Sequence, residues 1–446
     1  MARFIAVFND GATSDQIAAA LTALTSNNGT LIQAWGSYAM LADGDQPAQD
    51  AVKTADGVAL VSSSAVDQPQ SLGLGDDALA FVGAWNVRQS SDYQNAVSEF
   101  LGTTVSWGDI LPPNGCFVYG GSSAGDGTDS GGGSSTPSGG NGSSNLIAST
   151  NGSSGTQAGS PQAGSPSPSG GTATAVALST PSARALVGTI AVGVVMIDGQ
   201  AGSAAEFTTS ERINCIMAAS HAFDALYALA PTGSRLVFST VVKNVKLDVD
   251  PTTVAAPPAA GATITSADYE SRESLWRDPA LTKLGYSSSG VSGMKALCAD
   301  VKASNPLGLT PDWGYLLVFT KYNAAWMAYG NNLSDPVYII VAYPQVIDTS
   351  HGGWGLAKVH MVVAHESGHM TGAPDEYASS SCSLGGKFGF SHGPNPNCEN
   401  GNAAPVNCLM RNNQASVCTA TTGHFGWADS NGDGILDPYD PTYVRP

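Results

Sequence analysis

The sequence predicts a mixed α/β (α+β) chain in which a small α+β unit and a larger unit of alternating strands and helices flank a long structureless connection. Three observations predict it. Residues 1 to about 65 read as strand, helix, strand, strand, helix, strand. From about Gly120 to Thr174 the composition collapses to Gly, Ser, Thr, Pro and Asn. Beyond Pro181, strand and helix patterns alternate up to a helix ending near Met370, and irregular chain rich in Gly, Asn, Pro and Cys follows.

In the first unit, Phe4–Phe8 predicts a strand, and Ser14–Leu24 a helix with Ser14 as N-cap and Ile17, Leu21 and Leu24 on one face. Leu31–Leu41 predicts one or two strands, Ala48–Thr54 a short helix and Val58–Val61 a last strand. The order βαββαβ suggests a small ferredoxin-like unit. By pattern it resembles the inhibitor-type propeptides of secreted proteases, and a generic α+β domain fits as well. Residues 75–118 continue with helical sequence, including Tyr93–Phe100. We therefore divide the chain into a pro- or accessory domain at 1–118, a linker at 119–178, a main domain at 179–428 and an acidic tail at 429–446. A linker of such composition cannot bury a core, and it leaves the parts on either side free to move independently.

In the main domain, Gly188–Ile197 predicts a buried strand. The next helix opens on a capping box, with Thr208 as N-cap and Glu211 three residues on, and carries Ile213, Met217, Leu226 and Leu229. Leu236–Val249 alternates as a strand, Tyr269–Leu284 and Val291–Lys302 read as helices, and Tyr315–Phe319 and Val337–Tyr343 as strands. The helix Leu356–Met370 closes the series.

Composition excludes some functions. The 446 residues hold 18 Lys and Arg against 36 Asp and Glu, a net charge of -18. This argues against nucleic-acid partners and against an anionic membrane surface, both of which call for clustered basic residues. No stretch reaches the roughly 18 apolar residues that span a bilayer. Of seven cysteines, Cys116 stands apart, and Cys215, Cys298, Cys382, Cys398, Cys408 and Cys418 form an even set. They predict disulfides, with Cys382–Cys398, Cys408–Cys418 and Cys215–Cys298 the pairings nearest in sequence, and so a secreted, extracellular protein. The opening MARFIAVFNDGAT lacks a signal-peptide pattern, which pulls the other way. No pair has CxxC spacing, which argues against a cysteine-based zinc site.

The informative stretch is HESGHMTGAPDEY, His365 to Tyr377. On a helix, His365 and His369 stand one turn apart on one face, as a metal requires of two imidazole ligands. Glu366, beside them, is placed to act as general base on a water. Gly372 lets the chain turn out of the helix, Pro374 stiffens the return, and Asp375 brings a carboxylate ten residues after His365. Glu376 competes for the same third-ligand role. A buried helix end with satisfied histidines is the plain alternative.

The string HESGHMTGAPD resembles the HExxHxxGxxH/D signature of metzincin-type zinc endopeptidases. VNCLMRNN, with Met410 35 residues after Asp375, is similar to that family's Met-turn. The resemblance implies a metzincin-like catalytic domain with a twisted mixed sheet and an active-site helix. It also implies zinc held by His365, His369 and Asp375, Glu366 as base and Met410 as hydrophobic floor. The DEY ending is also similar to bacterial IgA-peptidase-type metallopeptidases. Two departures stand out: the third ligand is Asp rather than the commoner His, and no tyrosine closely follows the Met-turn. His424, in TTGHFGW, is the candidate for the oxyanion or substrate in its place. In such a fold an edge strand binds extended peptide, and Val337–Tyr343 is the candidate, with a central core strand as the other reading.

DSNGDGILDPYD reads like a calcium loop, with Asp429, Asn431, Asp433, the Ile435 carbonyl and Asp440 as ligands and Gly434 at the turn. A solvated acidic tail is its alternative. Cys116 is a candidate latency thiolate or simply a free thiol, and His221, His351, His360 and His392 read as structural or surface residues. The expectation is a zinc-dependent endopeptidase acting on protein or peptide, with Zn2+ and a calcium ion as its metals. The alternatives are a calcium-dependent adhesion or binding protein on an inactive protease fold and a zinc hydrolase of non-peptide amides.

Overall fold

The computed structural model describes residues 2–101, 184–259, 262–287, 289–304, 308–331, 338–378, 380, 382, 390, 395–400 and 404–444. Cys116, the segment 119–178 and His392 lie outside them. The α/β (α+β) class is observed: the described strands form one nine-stranded sheet in the order β4-β1-β3-β2-β6-β5-β7-β9-β8.

The first four strands, β1 (Ala2–Phe8), β2 (Thr30–Trp35), β3 (Ala39–Gly44) and β4 (Val58–Ser62), each pair antiparallel with their neighbours in this set. Helices α1 (Ser14–Ser26) and α2 (Gln46–Lys53) cover one face, burying Ile17, Leu24, Ala48 and Val52 against Phe4, Phe8 and Met40. The N-cap of α1 is Thr13 rather than Ser14: Thr13 accepts from the Gln16 N–H, and the Gln16 side chain answers at the Thr13 N–H. Both residues carry a hydroxyl, and the reciprocal glutamine selects between them. Helices α3 (Asp76–Gln89) and α4 (Ser91–Leu101) follow.

The second part does not start a new sheet. Strand β6 (Val237–Lys246) pairs in parallel with β2, through Gln33↔Phe238 to Trp35↔Thr240. Strands β5 (Thr189–Asp198), β7 (Trp313–Thr320) and β9 (Tyr338–Ala342) continue the parallel run, and β8 (Ala328–Asn331) ends it antiparallel. Parallel strands buried on both faces read as near-continuous apolar runs, as IAVGVVMI does in β5. Helix α5 (Thr209–Leu229) joins α3 on one face, where Trp35, Phe81, Phe223 and Phe238 share a core. Helices α6 (Ser266–Lys283) and α7 (Gly290–Ala303) pack on the other face around Trp276, Leu297 and Val318.

The two parts are thus joined more closely than units tethered by a linker. Buried Gln33 donates to the Ser220 carbonyl at 2.8 Å and accepts from Ser220 Oγ at 3.0 Å and from Trp35 Nε1 at 2.9 Å. Tyr93 Oη of α4 lies 2.8 Å from His221 Nδ1 and 3.2 Å from His360 Nδ1, whose rings stack with centroids 4.0 Å apart.

Candidate metal centre

After β9 come the one-turn helix α8 (Tyr343–Ile347) and then α9 (Val359–His369). Every residue of α9 is buried, so its apolar positions Val359, Met361, Val362 and Val363 hold it rigidly in the core. His365 and His369 leave it on one side. The chain then turns at Gly372, whose φ of +85° most side chains resist, and brings Asp375 back beside them.

His365 Nε2 lies 2.9 Å and His369 Nε2 3.3 Å from Asp375 Oδ1. The opposite ring nitrogens are committed. His365 Nδ1 donates to the Leu409 carbonyl at 2.8 Å and His369 Nδ1 to the Ala373 carbonyl at 2.7 Å. A carbonyl only accepts, so both Nδ1 atoms carry hydrogen, and the Nε2 atoms, which face the carboxylate, are the ones a metal would take as ligands. The three donor atoms lie within 4.8 Å of one another, and the residues are buried; this group could hold a metal ion. Burial disfavours charge on His369, but the Asp375 carboxylate and its hydrogen bond outweigh it and push His369 up to about 9. Burial likewise raises Asp375, and the attraction of His369 and His365 more than reverses it, holding the carboxyl well below the usual range. The site is built to gather positive charge at one point.

Glu366 is 1% exposed, and among the described residues neither of its carboxylate oxygens has a hydrogen-bond partner. Burial raises its pKa, with the two histidines acting in the opposite direction. A buried carboxylate without donors is costly unless something polar meets it, and this orphaned group beside the His365, His369 and Asp375 cluster fits a metal with an attendant water. On the sheet side, a Cβ built on Gly330 of β8 would lie 3.2 Å from His369 Cβ and 3.4 Å from Glu366 Oε2. The sheet edge therefore runs directly over the site. The expected edge segment Val337–Tyr343 is corrected: its strand β9 is internal, between β7 and β8, and β8 is the outermost strand.

The floor comes from α10 (Leu409–Asn412), which carries buried Met410. A Cβ on Gly368 would sit 2.5 Å from Met410 Sδ and 2.9 Å from two carbons of the Phe425 ring. Met410 thus lies under the helix between the two histidines. Phe425 follows α11 (Thr419–His424), which ends on fully buried His424.

Glu376, the competing third ligand, turns the other way. Its Oε1 accepts from Asn395 Nδ2 at 2.9 Å and Thr421 Oγ1 at 2.7 Å, and its Oε2 from Asn397 Nδ2 at 2.7 Å. With Cys408 and Cys418 it makes a second buried group that could hold a metal ion. Nothing in the sequence pointed to that group, because its residues come from three separated turns. Of the expected disulfides, Cys382–Cys398 is formed. Cys408 and Cys418 are unbonded, and Cys215 and Cys298 lie in cores on opposite faces of the sheet, which keeps them apart.

The acidic loop turns on itself. Asp429 accepts from the N–H groups of Gly432, Asp433 and Gly434, Asp433 from that of Ile435, and Asp440 from that of Thr442. Asn431 Nδ2 reaches Asp440 Oδ2 at 2.8 Å. Among the described residues, its carboxylates do not gather into a group of three as the His365 cluster does. His351 is an exposed partner of Asp348, His221 is half-buried and His360 is buried.

Searches against family models, curated proteins and solved structures find no match to this chain.

Proposed function

We propose that the chain is a zinc-dependent endopeptidase. The observation that carries this reading is the orphaned Glu366 carboxylate, buried beside two Nε2 atoms and Asp375 Oδ1. His365, His369 and Asp375 would hold the metal. Two neutral imidazoles and one carboxylate form a donor set suited to zinc with a coordination position left open. When bound, zinc supplies Lewis acidity at a carbonyl and makes water a nucleophile near neutral pH.

The chain's own residues do the rest. Glu366, raised by burial, takes a proton from the attacking water and delivers it to the leaving amine. The Leu409 and Ala373 carbonyls fix the imidazole tautomers. Met410 and Phe425 set the depth of the helix, and the backbone of β8 is the edge along which an extended peptide would align. The test is hydrolysis of an unfolded protein substrate by wild type and Glu366→Gln at equal metal content. Loss of a general base should lower turnover by roughly 10²–10⁴-fold. A variant that turns over at the wild-type rate would sink the mechanism.

A further inference from the structure

The second cluster lies behind the first, on the far side of the turn that carries Asp375. Its ligand atoms come from Glu376, from Cys408 just before the Met410 turn and from Cys418 at the start of α11, where Thr421 stands beside them. Glu376 Oε1 is 2.7 Å from Thr421 Oγ1 and 3.2 Å from Cys418 Sγ. Thr421 Oγ1 is 3.2 Å from Cys408 Sγ and 3.5 Å from Cys418 Sγ. The carboxylate and the two sulfurs all lie within 4.8 Å of one another.

A tetrahedral zinc with bonds of about 2.0–2.3 Å separates its ligands by roughly 3.3–3.8 Å. Glu376 Oε1 and Cys418 Sγ, 3.2 Å apart, already stand close to that spacing, and Thr421 Oγ1 donates to the carboxylate beside them. Both sulfurs accept backbone N–H groups, Cys408 from Cys418 at 3.3 Å and Cys418 from Thr421 at 3.4 Å, an arrangement that suits thiolate. Glu376 is 0% exposed, and no Lys, Arg or His pairs with it among the described residues. A buried carboxylate without a cation is costly. The Asn395 and Asn397 amides hold its two oxygens in place, as outer partners orient a metal ligand.

The geometry points to a second metal site, in which Cys408, Cys418 and Glu376 bind a zinc-class divalent cation through two thiolates and a carboxylate, with Thr421 hydrogen-bonded to that carboxylate. Buried behind the first cluster, the site is structural rather than catalytic. It clamps the Glu376 turn to the Met410 turn and to α11, and so fixes Asp375 and the floor relative to each other. The Glu376 N–H donates to the Met410 carbonyl at 2.9 Å, so the two turns are already in register. The inference does not depend on the peptidase reading.

The experiment is spectroscopy on the full chain produced with cobalt(II) in place of zinc, with wild type beside His369→Ala and Cys418→Ser. The proposal expects a near-ultraviolet thiolate-to-cobalt charge-transfer band in wild type and in His369→Ala, and its loss in Cys418→Ser. His/Asp ligation gives no such band, so failure of the first site leaves this result unchanged. Should Cys418→Ser not fold, X-ray absorption on zinc-loaded His369→Ala decides the matter. A zinc–sulfur shell near ~2.3 Å supports the site, and a shell of oxygen and nitrogen only overturns it. The proposal is equally overturned if no band forms while both thiols titrate as free, or if intact mass shows a Cys408–Cys418 disulfide.

Discussion

Gly368→Ala should destabilise the protein although it removes a glycine from a helix. Helix propensity alone favours alanine by about 1 kcal/mol. Against this, the new Cβ would lie 2.5 Å from Met410 Sδ and 2.9 Å from two carbons of the Phe425 ring. Both neighbours are fully buried in the same core, so neither can swing into solvent. Overpacking of this kind costs about 1–3 kcal/mol, rising when several contacts must yield together. With three atoms inside contact distance we place the cost at the upper end, for a net loss of about 1–2 kcal/mol after the propensity gain. The assay is urea unfolding of chelated protein followed by tryptophan fluorescence, so that bound metal does not contribute. The midpoint should fall at unchanged m-value. An unchanged or higher midpoint would show that Met410 and Phe425 yield freely, and that they are not a fixed floor beneath His365 and His369.

Two further outcomes follow from the join between the halves and from its buried histidines. Gln33→Leu strands the Trp35 indole N–H and removes the acceptor of the Ser220 hydroxyl, which keeps only its bond from Arg88. At about 1–3 kcal/mol for a buried group left unpaired, the whole chain should lose stability in one cooperative transition; a separate early transition of the first 101 residues would refute a shared core. Burial, with Arg88 adding to it, lowers His360 to about 3, and burial lowers His221 as well. An unfolded histidine takes its proton near 6.5, so between pH 6.5 and 3 the unfolded chain binds more protons than the folded one. Stability should therefore fall as pH drops through that window, by up to about 1.4 kcal/mol per pH unit for each histidine. His360→Gln should have a shallower pH slope of the urea midpoint, and an identical slope would refute the assignment.

Much of this was legible in the sequence because it is local. A four-residue histidine spacing on an apolar helix, a glycine where the chain must turn and a carboxylate just after it place His365, His369 and Asp375 without knowledge of the rest. The βαββαβ order and its antiparallel sheet follow from alternation and turn signals in the same way. What the sequence hid is non-local. Periodicity shows that β2 and β6 are strands but not that they pair, since their partners lie some 200 residues away. Strand β8 is four residues long, too short for alternation to register, so the sequence offers its stronger neighbour β9 both as an edge candidate and as a core strand. Asp375 and Glu376 carry the same functional group, and only the Asn395, Asn397 and Thr421 donors behind the turn decide which faces the histidines. Cys408 and Cys418, ten residues apart without CxxC spacing, read as a disulfide pair, and only the fold brings Glu376 and Thr421 beside the two sulfurs.

The central claim is that His365, His369 and Asp375 hold a metal ion, and its most direct test is zinc content by mass spectrometry of the folded wild type beside His369→Ala. The account predicts one zinc fewer per chain in the variant. Equal zinc in both folded proteins would contradict it, and would leave His365, Glu366 and His369 as the buried end of an ordinary helix.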